Sequence, residues 1–333
     1  MTHSVTVLRT KDAEQVLSPF ATDVARGLWS TPKIIPSRNF YDERGSELFA
    51  KITTLPSYYP TRTETNILRA RARDISSLVG SAPTEVVELG CGCGEKTFII
   101  LDQLIRDGRD IVFRPLDISQ SAMNQMSATV EKRYGDNLRM QGVVGEYIPG
   151  LAHIDADVLG QNRKKLILFF GSNIGNMTDT EAVEFLLKLH VSMKQGDLLI
   201  VGFDLKKELR IIHQAYDDPE GVTREFNLNL LDRMNRELGA NFNRAAFVHH
   251  PFYDPSLEAM VSWLVSTKEQ DVSLTKLPHG WVHFREGEGI RTEMSRKFSF
   301  TDIRTLAERS RFRARDIYTD AQQWFADVVL QPF

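Results

Sequence analysis

Three glycines, Gly90, Gly92 and Gly94, follow the apolar pair Val86-Val87 in the stretch TEVVELGCGCGEKT, residues 84–97. An apolar run of this kind fits one buried parallel strand, and Glu88-Leu89 carry it to the edge of the sheet. A strand that empties into Gly-x-Gly-x-Gly and then into a helix makes a nucleotide-type pocket, because a Cβ in that turn would obstruct a ligand. Glu95-Lys96-Thr97 opens the helix, whose apolar face is Phe98, Ile99, Leu101, Leu104 and Ile105. Asp117 ends the next apolar strand, Ile111 to Leu116, 27 positions beyond Gly90. An acidic residue there can grip the two ribose hydroxyls of an adenosine moiety. A nicotinamide dinucleotide suits the loop poorly. The third glycine comes one residue too early, and Glu95 puts negative charge where a pyrophosphate would sit.

The segment Glu-Leu-Gly-x-Gly resembles that of S-adenosylmethionine-dependent methyltransferases, whose cofactor has no phosphate to repel. An acidic surround also suits a sulfonium cation. The elements that must hold this loop read as βα units. A helix spans Thr61 to Val79, another follows Ser119 (Ala122, Met126, Val130), and a strand from Leu138 to Val144 ends in Gly145-Glu146-Tyr147. Lys165 to Phe170 is the most apolar strand and should be central. It empties into Gly171-Ser172-Asn173-Ile174-Gly175-Asn176-Met177, a second small-residue loop of the kind in which α/β enzymes keep their chemistry. Asn176 either caps the helix beginning near Thr180 or offers its amide to a substrate. A helix from Ala182 to Met193 and a strand from Leu198 to Phe203, ended by Asp204, complete the alternation.

At 333 residues the chain is long enough for two lobes. Its net charge of −3 gives no footprint for nucleic acid or an anionic membrane. No apolar run approaches a membrane span, and Met1-Thr2-His3 leads into no signal-peptide core, which predicts a cytoplasmic protein. Cys91 and Cys93 flank Gly92 too closely to bridge and lack partners for a zinc site, so small pocket-lining residues are expected and no metal. His213, His249, His250, His279 and His283 show no metal spacing and read as surface or packing residues.

The remaining segments have another style. Residues 1–30 read as a polar start and an amphipathic helix (Val16, Leu17, Phe20, Val24, Leu28), and Ser46 to Ile52 as a short helix. Leu55 to Pro60 reads as a fixed loop presenting tyrosines. On spacing alone, Tyr41, Tyr58 and Tyr59 suit amphipathic packing as well as function. Leu205 to about Ala240 is helical, broken at Tyr216–Gly221. Alternating runs at Ala246–His250, Glu258–Thr267, Trp281–Phe284 and Gly289–Phe298 predict antiparallel strands. A helix from Phe300 to Arg309 and a strand near Val328–Leu330 return to the first style. The fold class expected is therefore α/β, a Rossmann-like core over 62–203 and 297–333 with a second α+β substrate-binding lobe over 1–61 and 204–296.

The segments FYDERGSELFAKITTLPSYYPTRTE, VVELGCGCGEKT, FFGSNIGNMT, AYDDPEGVTREFN and RTEMSRKF together resemble the histidine Nα-methyltransferases of ergothioneine biosynthesis, the EgtD family. The similarity covers nearly the full chain. It implies a class I methyltransferase core and successive transfer of three methyl groups from S-adenosylmethionine, released as S-adenosylhomocysteine, to the α-amine of L-histidine, giving hercynine. It also implies that Tyr58, Gly90, Lys96 and Asp117 contact the donor, with Glu146 and Tyr147 near its adenine. Family members usually carry aspartate at the position of Glu146. Asn176 and Tyr216 match the pair that holds the substrate carboxylate, and Tyr41 matches the tyrosine beside the amine. Glu293 and Ser295 match the residues that read the imidazole, although spacing alone favours an exposed pair on one strand face. One position departs from the pattern: a methionine expected before Trp263 is Ser262, which loosens the prediction for the side chain bound.

Three functions compete on this reading. The first is the histidine trimethyltransferase, a monomer acting on a small amino acid without nucleic acid, membrane or protein partner. The second is an N-methyltransferase of the same fold for tryptophan, tyrosine or a derived amine, motivated by Ser262. The third is a donor-binding regulatory protein without turnover, against which the intact glycine loop, Asp117, Asn176 and Tyr216 argue.

Overall fold

The computed structural model describes residues 3–8, 17–92, 94–157 and 163–333. Val16 and Cys93, both named above, lie outside them. The chain divides into two compact units: Met1–Thr10, Pro60–Lys206 and Phe298–Phe333 form one, and Lys11–Tyr59 with Lys207–Lys297 the other.

Among the described residues the first unit carries an eight-stranded sheet. Its order is His3–Val7, Arg139–Val144, Ile111–Asp117, Thr84–Leu89, Lys164–Phe169, Leu198–Asp204, Phe325–Pro332 and Phe312–Thr319. The first six strands pair in parallel, and the last two add antiparallel ladders at one edge. Both faces are covered. Val86, Phe113, Leu166 and Ile200 enter one apolar cluster, whereas their chain neighbours Val87, Ile167 and Val201 enter another. That alternation is why these strands read as unbroken apolar runs: each residue meets a helix layer, whichever way it points. Helices Glu95–Arg106 and Gln120–Tyr134 follow their strands, the second capped by Ser119, whose Oγ accepts from the Ala122 amide at 3.2 Å.

Two strands of the main sheet differ from the sequence reading. The amino terminus does not belong to the substrate lobe: His3–Val7 pairs in parallel with Arg139–Val144 in the main sheet. As an edge strand it buries little, so HSVTV carries no long apolar run to announce it. Phe312–Thr319 is a strand that the reading lacked, pairing with Phe325–Pro332 across a bulge at Ala314/Asp316. Its charged residues, Arg313, Arg315 and Asp316, obscure the alternation.

The second unit is α+β. A four-stranded sheet runs Lys33–Ile34, Gly289–Arg296, Ala259–Ser266, Phe247–Asp254, and Gln270–Ser273 pairs with Trp281–Phe284 as a hairpin. Helices Pro19–Leu28, Glu43–Ile52 and Val222–Leu238 give Val24, Leu48 and Leu231 to a core shared with Leu264, Phe284 and Ile290. Tyr59 is buried, and its hydroxyl accepts from Lys207 Nζ at 2.8 Å, so it packs rather than being presented by a loop.

Among the histidines, His249 is half-buried in the Phe247–Asp254 strand, with its Nε2 shut away from solvent. Burial pushes its pKa down from 6.5 to about 4. Between those two pH values the unfolded chain takes up a proton that the folded chain refuses, so stability falls as pH drops through that window. The cost reaches about 2–3 kcal/mol. His249→Leu should therefore melt less acid-sensitively than the parent between pH 6.5 and 4. An unchanged pH dependence of Tm would contradict this.

Candidate active site

The parallel order of the first unit puts four strand ends side by side: Val144, Asp117, Leu89 and Phe169 finish neighbouring strands at the same edge. Crevices at such edges are where open α/β sheets bind ligands. Gly90 leaves the Leu89 end with φ +78°, and its amide donates to Leu116 O at 2.8 Å. A Cβ on Gly90 would lie 2.7 Å from the Tyr147 hydroxyl. The glycine is thus needed both for its backbone angle and for the space it leaves.

Asp117 is held from both sides. One carboxylate oxygen accepts from the Gly92 amide at 3.1 Å and the other from the Ser119 amide at 2.9 Å. Burial nevertheless raises its pKa, the backbone bonds offsetting only part. Cys91 is a buried free thiol with Sγ 3.8 Å from Asp117, and burial raises its pKa well above the ordinary value. Glu146 is exposed at the Val144 end, just ahead of the Tyr147–Asp157 helix. Tyr147 packs edge-on against Phe169 at 5.7 Å, and burial raises its pKa.

Glu88 does more than carry its strand to the sheet edge. Its side chain is buried, Oε1 accepts from Thr97 Oγ1, and Oε2 has no partner. Burial pushes its pKa up to about 8. The unfolded carboxyl ionises near 4.5, so folding is opposed increasingly as pH rises from 4.5 to about 8. The penalty above that range is about 2–5 kcal/mol. Glu88→Gln should remove this dependence and raise Tm at pH 8; an equal or lower Tm there would contradict it.

Lys96 Nζ donates to Glu64 Oε2 at 2.6 Å. Burial works to lower the Lys96 pKa, but the Glu64 carboxylate overrides it and the net direction is up. Glu64 is fully buried and also accepts from the Gly171 amide at 2.8 Å, so it ties the glycine-turn helix to the second small-residue loop. It fits because Gly202 has no side chain: a Cβ there would lie 2.4 Å from Glu64 Oε1. Asp327 is also buried, its pKa pushed well up by burial and then by Glu64. The sequence reading missed Glu64 and Asp327. Glu64 closes the quoted motif YYPTRTE, the one signal that was available.

Asn176 ends the short turn Asn173–Asn176 and is exposed. It does not cap the following helix. Thr178 does so, in a capping box with Glu181. The alternative left open for Asn176 is thereby removed.

The substrate-side residues named from sequence lie in the second unit, except Asn176. Tyr41 packs edge-on against Phe49 at 5.5 Å and Phe226 at 5.8 Å, and Tyr58 stands 6.3 Å from Phe49. Tyr216 is buried at the end of the Leu209–Tyr216 helix, and its hydroxyl donates to Ser295 Oγ at 2.7 Å. Ser295 is buried and Glu293 half-buried, so the exposed-pair alternative does not hold. A bulge between Arg291 and Glu293 sets Glu293 opposite Ser262. Ser262 Oγ then donates to Glu293 Oε2 at 3.3 Å. Burial raises the Glu293 pKa, while Lys297 and Ser262 pull it down. The serine that breaks the expected pattern therefore supports the carboxylate.

A glycine turn, a held aspartate and a Rossmann-like sheet with two antiparallel edge strands define the core of a class I methyltransferase. The orphaned Glu88 Oε2 and the Asp117 carboxylate held at the glycine turn suit an adenosine-bearing donor, which carries hydrogen-bond donors of its own. The chain belongs to the S-adenosylmethionine-dependent, histidine-specific methyltransferases, whose family profile matches residues 20–332. It is 39% identical over 276 residues to a histidine N-alpha-methyltransferase of Mycobacterium tuberculosis, covering 83% of each chain. It is 37% identical over 287 residues to the protein of that name from Mycolicibacterium smegmatis, covering 86% of each. Ergothioneine biosynthesis protein 1 of Schizosaccharomyces pombe is 29% identical over 286 residues, 84% of this chain and 36% of that protein. No helix among the described residues is long and apolar enough to cross a membrane.

Proposed function

We propose that this chain transfers three methyl groups in succession from S-adenosylmethionine to the α-amine of L-histidine, giving hercynine for ergothioneine biosynthesis. The observation that carries the reading is the histidine-specific family match across residues 20–332. Asp117, Gly90, Lys96 and Tyr58 hold the donor, with Glu146 and Tyr147 at its adenine. When bound, the donor supplies a methyl carbon already activated by sulfonium and leaves as S-adenosylhomocysteine.

The protein therefore needs no nucleophile of its own. Its task is to present a neutral amine in one orientation, and good alignment contributes about 7–11 kcal/mol to lowering the barrier. Tyr41 hydrogen-bonds the amine and orients its lone pair, while water removes the proton before each transfer. A phenol with an ordinary pKa of about 10 is too weak a base to do more. Asn176 and Tyr216 hold the carboxylate of the substrate. Glu293 accepts from an imidazole N–H, and Ser295 meets the same ring. The fixed cation formed by the third transfer is tolerated by aromatic faces such as Tyr41 and Phe226, worth roughly 0.5–2 kcal/mol. We propose a monomeric, cytoplasmic enzyme acting on a free amino acid, with every residue named supplied by one chain. Purified chain should turn over histidine without any added protein, and activity appearing only with a second component would count against the proposal.

A further inference from the structure

We infer that Lys297 is a positioning residue that fixes the polarity of the Tyr216–Ser295 hydroxyl pair, so that the pair recognises a hydrogen-bond acceptor on the substrate. The inference rests on the reading of Tyr216 and Ser295 as substrate contacts proposed above.

Lys297 is fully buried. Its Nζ donates to Tyr216 Oη at 2.8 Å and to Ser295 Oγ at 2.8 Å, and lies 4.7 Å from the centre of the tyrosine ring. With the 2.7 Å bond between the two hydroxyls, the three groups close a triangle. A lysine head group donates and has no lone pair with which to accept, whereas each hydroxyl has one hydrogen and two lone pairs. Lys297 therefore occupies one lone pair on each oxygen. The third side of the triangle uses the Tyr216 hydrogen, which fills the second lone pair of Ser295 Oγ. The Ser295 hydroxyl hydrogen points out of the triangle.

With both lone pairs filled, Ser295 Oγ can offer a ligand only a donor. An acceptor satisfies it: an oxygen of the substrate carboxylate, or the unprotonated nitrogen of a neutral imidazole. Glu293, Ser295 and Lys297 sit two residues apart, on one face of the Gly289–Arg296 strand and its extension. This face therefore runs from an acceptor at Glu293 to a donor at the triangle. Without Lys297 one lone pair of Ser295 Oγ is released, and Ser295 can accept as well as donate.

The test compares Lys297→Met, Tyr216→Phe and the double variant with the parent. KM and kcat for histidine, donor Kd by calorimetry and Tm are measured for each. Lys297→Met is expected to raise the histidine KM about tenfold with donor Kd unchanged. Once Tyr216→Phe has opened the triangle, adding Lys297→Met should raise KM less than about threefold further. Losses that multiply in the double variant, or a silent Lys297→Met, would overturn the inference. Should Lys297→Met not fold, Ser295→Ala opens the same triangle and takes its place, with the same non-additivity against Tyr216→Phe expected. Inhibition by histamine, which keeps the ring but lacks the carboxylate, locates the acceptor. A Lys297→Met effect equal for histamine and histidine assigns it to the ring, and an effect confined to histidine assigns it to the carboxylate. A parent chain that ignores histidine contradicts the proposed function itself; an active parent with additive variants contradicts only the role of Lys297.

Discussion

Glu293→Ala is expected to lower kcat/KM for histidine by about 10³–10⁴-fold while leaving donor Kd unchanged. The argument starts from burial. Glu293 accepts a hydrogen bond from Ser262 Oγ, and its carboxylate is held against a desolvation cost. A ligand N–H that meets it removes part of that cost, so the acid discriminates for an imidazole and against an apolar ring. Alanine deletes the acceptor and leaves the ring N–H of histidine unpaired. Of the residues proposed to hold the donor, Gly90, Lys96 and Asp117 belong to the other compact unit and Tyr58 to a segment far from Glu293 in the chain, which is why donor affinity is expected to survive. Steady-state kinetics with calorimetry separate the two effects. A variant that keeps its histidine kcat/KM would remove Glu293 from substrate recognition.

Asp117→Ala should do the reverse, weakening the donor about 10²-fold before histidine is affected. Two backbone amides, of Gly92 and Ser119, lose their shared acceptor in this variant. The glycine turn and the start of the Gln120–Tyr134 helix are then no longer held to one carboxylate, and the acceptor proposed for the ribose hydroxyls is gone. Asp117→Asn keeps the shape but turns one acceptor into a donor, and it should fall between the parent and the alanine variant. Calorimetry with S-adenosylhomocysteine reads the result. An unchanged donor Kd in Asp117→Ala contradicts the assignment of Asp117 to the donor.

What could be read from the sequence was local. The Val86-Val87 run, the glycine turn and Asp117 announce themselves because strand, turn and helix chemistry follow one another along the chain, and the core strands expected from the sequence begin and end within a few residues of where they are observed. The antiparallel runs of the second unit were legible for the same reason. The buried polar groups were not. Glu64 meets the Gly171 amide 107 positions away, and Lys297 meets Tyr216 81 positions away. No periodicity signals that a charged residue will be shut inside the protein. Ser262 illustrates the converse: alone it is a polar residue in an apolar strand, and only pairing with Glu293 across the ladder gives it a purpose. The His3–Val7 strand escaped notice because its partner, Arg139–Val144, comes more than a hundred residues later.

The central claim is that histidine is the substrate and that its α-amine is methylated to completion. Mass spectrometry of L-histidine incubated with the purified chain and S-adenosylmethionine tests this most directly, with tryptophan and tyrosine in parallel. The account predicts a product carrying three added methyls, all on the α-nitrogen by fragmentation, and little or no product from the other two amino acids. Unmodified histidine beside methylated tryptophan or tyrosine, or methyl groups found on the imidazole ring, would contradict it.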